Sequence, residues 1–106
     1  MAQWRIFIES DRRVTAERIG STVAHRLSVE GNVVCEPYYK GGHTCVFRCD
    51  TGASSWPELV FALLGKAQTL GRSWQLSGAI EEELDAWSNE PSLKGITAIH
   101  LQADAV

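Results

Sequence analysis

Two adjacent glycines, Gly41 and Gly42, stand between the runs NVVCEPYYK and HTCVFRCD. Gly-Gly supplies the positive φ angles that a two-residue hairpin turn requires, and each flanking run has strand-like residues. No other feature constrains the fold as tightly, because a hairpin turn fixes direction, pairing partner and register together. A two-residue turn sets Lys40 opposite His43, Tyr38 opposite Cys45, Cys35 opposite Arg48 and Val34 opposite Cys49. Side chains alternate across a sheet. One face then carries Val34, Tyr38, His43, Cys45, Phe47 and Cys49. The other carries Cys35, Tyr39, Thr44, Val46 and Arg48.

All three cysteines of the chain lie in this hairpin. In the expected register Cys35 faces away from Cys45 and Cys49. The latter two are four residues apart on one strand, roughly 13 Å at the usual rise, too far for a disulfide. Only His43 and Cys45 could share a metal, and a tetrahedral site needs four ligands. No metal and no cofactor is expected, although a bulge at Pro37 would change the register. A Cys-His catalytic pair would need an activating imidazole and an oxyanion hole. The plainer reading makes Cys45 a small buried residue and His43 a solvated turn histidine, so no catalytic residue is assigned.

The remaining elements follow from periodicity. WRIFIES alternates, with Trp4, Ile6 and Ile8 on one side and Arg5, Phe7 and Glu9 on the other, which predicts a strand. A helix follows, with Thr15 as N-cap, Glu17 in the first turn and Val14 stapled to Ile19. Its apolar stripe is Ala16, Ile19, Val23 and Leu27, Gly20 permits close approach to a sheet, and Gly31-Asn32 stops it. A second helix starts at a capping box of Ser55 and Glu58, with Pro57 tolerated in the first turn. It buries Val60, Leu63, Leu64, Ala67 and Leu70, leaves Leu59 and Phe61 off that stripe, and ends at Gly71. SWQLSG reads as a strand. For AIEEELDAWSN, residue propensity favours a short helix, while Leu76, Ile80 and Leu84 also share a face of an extended chain. ITAIHLQA is a final strand.

This order, β-α-β-β-α-β with a C-terminal extension ending in an extra strand, resembles the ferredoxin-like superfold. The resemblance implies an antiparallel α+β sheet with two helices on one face. Pro37 fits it, because the second strand lies at an edge there and proline cannot donate to a ladder. The superfold hosts unrelated functions. Acylphosphatases share the size and topology, but depend on a Gly-rich first loop, and ESDRRVTA has no glycine. RNA-binding members carry aromatic and basic residues on the central strands. Here Phe7 and Phe47 fall on opposite faces.

The chain has 106 residues, the size of a single domain. Its net charge of -3 argues against nucleic acid as a partner. No apolar run approaches the ~20 residues of a membrane span. The N-terminus does not read as a signal peptide, and an odd cysteine count suits a reducing compartment, so a cytoplasmic location is expected. Glu81, Glu82, Glu83 and Asp85 read as a solvated helix face, or a docking patch for a basic partner. His25 reads as surface and His100 as a hydrogen-bonded structural histidine.

Two helices cover one sheet face, so the other needs an explanation. It would present Phe7, Tyr39, Val46 and Arg48, a mixture suited to protein contact. The expected function is a non-catalytic interaction module that docks to itself, as a homodimer, or to a protein partner, for example a neutralising protein of a bacterial mobile element. The alternative is a small-molecule binder or small enzyme. Its cleft would lie between the sheet and the C-terminal extension, with Glu9, Tyr39, Arg48 and His100 as ligand contacts.

Overall fold

The computed structural model describes residues 2–30 and 33–105. Its elements are β1 (Ala2–Ile8), α1 (Arg13–Arg26), β2 (Cys35–Pro37), β3 (His43–Cys49), α2 (Trp56–Leu70), β4 (Gly71–Arg72), β5 (Gln75–Ser77), β6 (Glu83–Ser88), β7 (Glu90–Pro91) and β8 (Ile96–Asp104). Six strands form one antiparallel sheet in the order β2-β3-β1-β8-β6-β5, and β4 pairs with β7 in a small second sheet. The architecture is mixed α+β with two helices.

Both helices and one sheet face build a single apolar core. Trp4, Ile6 and Ile8 of β1 are buried with Cys45 and Phe47 of β3, Ile99 and Leu101 of β8, and Leu84 and Ala86 of β6. Ala16, Val23 and Leu27 from α1 and Leu63, Ala67 and Leu70 from α2 complete it. Gly20 allows the close approach of α1: a Cβ there would stand 2.8 Å from Val33 Cγ1 and 3.0 Å from the Cys45 sulfur.

The hairpin departs from the expected register. Cys35 pairs with Cys45 and Pro37 with His43, so the turn is the five-residue loop 38–42 rather than Gly41-Gly42 alone. Within it the Gly41 N–H donates to the Tyr38 carbonyl, and the Tyr38 N–H to that of Gly42. Pro37 explains the difference. The two-residue turn would have buried it inside the ladder, where it has no N–H to donate. In the observed register it closes the ladder of an edge strand. Moving Cys35 from opposite Arg48 to opposite Cys45 is an odd shift, which turns every β2 side chain over. Cys35 therefore faces the core, and Val34, expected in the core, is exposed.

That shift corrects the reading of the cysteines. Cys35 and Cys45 are joined by a disulfide, with α-carbons 4.5 Å apart. This is the spacing of a non-hydrogen-bonded antiparallel pair, where side chains approach most closely. Cys49 is the free thiol. A cross-linked pair is not the free-thiol arrangement expected of a reducing compartment.

Other corrections are local. Helix α1 starts at Arg13, ahead of the expected Thr15 cap, with no side-chain cap, and Val14 is exposed rather than stapled. It ends at Arg26, and Ser28 takes the left-handed conformation after it (φ 57°). Gly31 and Asn32, the expected stop, lie outside the described residues. In α2 the Ser55 hydroxyl accepts the Glu58 N–H as expected, while the Glu58 carboxylate takes its reciprocal bonds from Ser54.

The largest correction concerns residues 79–89. They form a turn and strand β6, not a helix. Leu84, Ala86 and Ser88 point inward while Glu83, Asp85 and Trp87 point outward. Helix propensity is overridden because the β8 edge offers a ladder along the whole segment. The strand after α2, β5, does not lie beside β1 as the expected topology required. It occupies the far edge of the sheet, and β8 takes the place next to β1.

Candidate functional site

On the face that the helices leave open, register alone sets the neighbours. Arg5 lies between Val46 and His100, Phe7 between Thr44 and Ala98, and Gln3 between Arg48 and Gln102. Trp87 of β6 is opposite His100 of β8. A bulge at Thr97 lets β8 serve both faces. Phe7 pairs with Ala98 but Ile8 already pairs with Ile96. Ile96 thus turns to the core, although strict alternation would set it on the face of Ala98 and His100.

Four rings form a continuous row across this face. Tyr38 meets Phe7 edge to face at 5.3 Å between centroids, Phe7 stacks on Trp87 at 5.7 Å, and Trp87 stacks on His100 at 3.9 Å. The first two separations are in the range that aromatic pairs favour, and the third is a closer, nearly parallel stack. The small side chain of Ala98 leaves the space that lets Trp87 reach diagonally to Phe7. Tyr39 extends the row, with its ring 4.8 Å from that of Tyr38, and Lys40 places its ammonium over the Tyr39 ring.

His100 is held from two sides. Its Nε2 lies 2.8 Å from Asp85 Oδ1, and Trp87 covers its ring. The expectation of a hydrogen-bonded histidine is met, with Asp85 as the partner. An Asp-His pair can orient a general base. The hydrogen bonds described for His100 include no hydroxyl or thiol, and Cys49 sits on the other face.

At the loop end of the aromatic row lies a cleft of about 490 Å³. Phe7, Tyr38, Trp87 and Ala98 give it apolar walls, and Glu9, Asp11, Lys40 and His43 give it polar ones. Its rim is fixed by the loop. Gly42 sits so close to β1 that a Cβ would collide with the Ile8 carbonyl, and its N–H donates to Asp11 Oδ1 at 2.7 Å. His43, expected to be solvated, is only 4% exposed. Its Nδ1 is 2.8 Å from the Ser10 carbonyl, which can only accept, so Nδ1 carries the proton. In the neutral ring Nε2 is then left as an acceptor.

The expected contact residues are distributed unevenly. Phe7 lies at the centre of the aromatic row, Val46 and Arg48 are exposed on the same face, and Tyr39 is 83% exposed in the loop. The four residues expected to contact a ligand do not line one cavity. Glu9 lines the cleft, Arg48 lines a separate hollow with Gln3 and Gln102, Tyr39 and His100 line neither. Sequence reasoning missed Tyr38 at this site, and it missed the contacts of Trp87 and Asp85 with His100. Tyr38 was put on the core face by the wrong register. Trp87 and Asp85 were put on a helix, although the alternation Leu84, Ala86, Ser88 was the available signal for a strand.

Among the described residues no cluster of three or more His, Cys, Asp or Glu is arranged to hold a metal, and no helix is long and apolar enough to cross a membrane. No protein-family model matches the chain, and neither a curated protein nor a solved structure matches it.

Proposed function

We propose that this protein is a non-catalytic interaction module that docks a protein partner through its open sheet face. The observation that carries this reading is the aromatic row Tyr38–Phe7–Trp87–His100 on a face without a helix. Aromatic side chains flanked by arginine are the usual anchors of protein interfaces. Arg5 and Arg48 flank the row, and Glu36, Glu83 and Asp85 balance them. That balance, with the overall charge of -3, disfavours a nucleic-acid backbone as the partner. A role as a neutralising protein of a bacterial mobile element is the narrower version, and a toxin gene beside the coding sequence would support it.

The test compares proteins retained by immobilised wild type with those retained by Trp87→Ala and Val46→Glu. A retained protein is then purified and titrated by calorimetry. Loss of about thirtyfold in affinity for Trp87→Ala, with folding intact, is expected for an anchor. Equal retention by wild type and both variants would sink the sheet-face reading.

The cleft supports a second reading, a small planar ligand held against Phe7 and Tyr38 with a donor directed at His43. Its volume lies within the ordinary range for ligand sites. Saturation of ligand-detected NMR signals by wild type but not by His43→Phe would favour it.

We also read β1, α1, β2, β3, α2 and β8 as a ferredoxin-like βαββαβ unit, with β4–β7 inserted between α2 and the last strand. Support comes from the sheet order β2-β3-β1-β8, in which the strands flanking each helix are separated by one strand.

A further inference from the structure

We infer that the outer ridge of α2 is an interface with a second copy of this chain, the two helices lying antiparallel across a twofold axis. This contact is separate from the sheet face and does not depend on what docks there. Pro57, Phe61, Gly65 and Thr69 recur every four residues on α2, and all are exposed. They form one ridge of the kind that packs helices together.

Two residues of that ridge lack a reason within the single chain. Phe61 is 84% exposed. Beside it Trp56, Val60, Leu64 and Ile80 line an apolar groove of about 450 Å³. The groove is preformed, because the Trp56 indole N–H donates to the Ile80 carbonyl at 2.7 Å. Gly65 is in the middle of the helix, where glycine is less favourable than alanine. A Cβ there would have nothing within 4 Å. Among the described residues no contact requires this glycine, so the space it leaves is available to a neighbour.

Phe61 and the bare position at Gly65 are one helical turn apart on the same ridge. Turning α2 antiparallel about the midpoint between them brings Phe61 against Gly65 of the partner subunit, twice. This is the self-complementarity of an isologous interface. The charges follow the same symmetry. Glu58 and Glu81 flank the N-terminal end of the ridge. Arg26 is fixed at its C-terminal end, where its guanidinium donates to the Thr69 carbonyl at 3.0 Å. The antiparallel arrangement sets Glu58 and Glu81 near Arg26 of the partner subunit, whereas a parallel one would set like charges together.

Sedimentation equilibrium at micromolar concentration tests this. Wild type should run at about twice 11.7 kDa. Gly65→Leu and Phe61→Glu should each weaken the association by roughly thirtyfold or more. Far-UV circular dichroism should show both variants folded, since each change lies in open space. Arg26→Glu or Glu81→Lys alone should weaken the dimer, and together they should restore it. A monomeric wild type overturns the inference. So does a dimer that survives both ridge substitutions, or one that Val46→Glu dissolves instead, since the copies would then meet on the sheet face.

Discussion

The same strands supply both faces of the sheet, yet the two faces are finished differently. On one, Trp4, Ile6, Cys45, Phe47, Ile99 and Leu101 disappear under α1 and α2. On the other, Phe7, Trp87 and Tyr38 cover one another and leave their outer surfaces to solvent. The helix-covered face is sealed by close apolar packing, which is largely non-directional and is supplied within the chain. The open face is sealed only along a row of rings, and that row ends in a cleft. A face that finishes its own burial serves stability. A face of aromatic, histidine and charged side chains, half covered, has contact area left for another molecule.

Substitutions can break or sharpen this contrast. Trp4→Ala should have the largest effect, a loss of about 3–5 kcal/mol in urea unfolding, because it empties a fully buried site. Next comes the disulfide. Replacing both Cys35 and Cys45 with alanine removes a cross-link over a separation of 10 residues, and should cost about 3 kcal/mol by the same measurement. If reductant leaves the wild-type unfolding midpoint unchanged, the cross-link is not formed in solution. Trp87→Ala should cost only about 1–2 kcal/mol, since its ring is partly exposed and loses two aromatic contacts. A loss equal to that of Trp4→Ala would make the open face a second core rather than a contact surface.

The smallest effects concern polar groups on the open face. Asp85→Ala removes the partner of a buried histidine and should cost about 1 kcal/mol in thermal unfolding. Arg48→Ala should stay within about 0.5 kcal/mol of wild type, as an exposed side chain outside the aromatic row. Under the docking reading, its effect belongs in affinity for a partner instead.

Much of the architecture was legible because it is local. The alternation of Trp4, Ile6 and Ile8, the Ser55–Glu58 cap and the Leu63, Ala67 and Leu70 part of the α2 stripe are short-range patterns whose physics sits within a few residues, whereas Val60 turns to the outer groove and Leu59 packs on the core instead. The candidate site was less legible. Phe7, Val46 and Arg48 were placed on the open face, where they lie, because strand alternation holds on β1 and β3. Tyr38 and Trp87 were not, because their faces depend on a turn length and on a competition between helix and strand. The expected residues Glu9, Tyr39, Arg48 and His100 do not line one hollow, because sharing a sheet face does not make residues share a cavity.

By itself the amino-acid sequence determined two helices, a hairpin, the inward set of β1, and an edge position for Pro37. Each follows from periodicity or from a missing N–H. Tertiary structure decided the register of β2, and with it the pairing of Cys35 with Cys45, since the ladder ends where proline cannot donate. It also decided that residues 83–88 extend along β8 rather than coil. A segment whose local preferences are nearly balanced takes the form that its neighbour rewards, and here the neighbour is an unpaired strand edge.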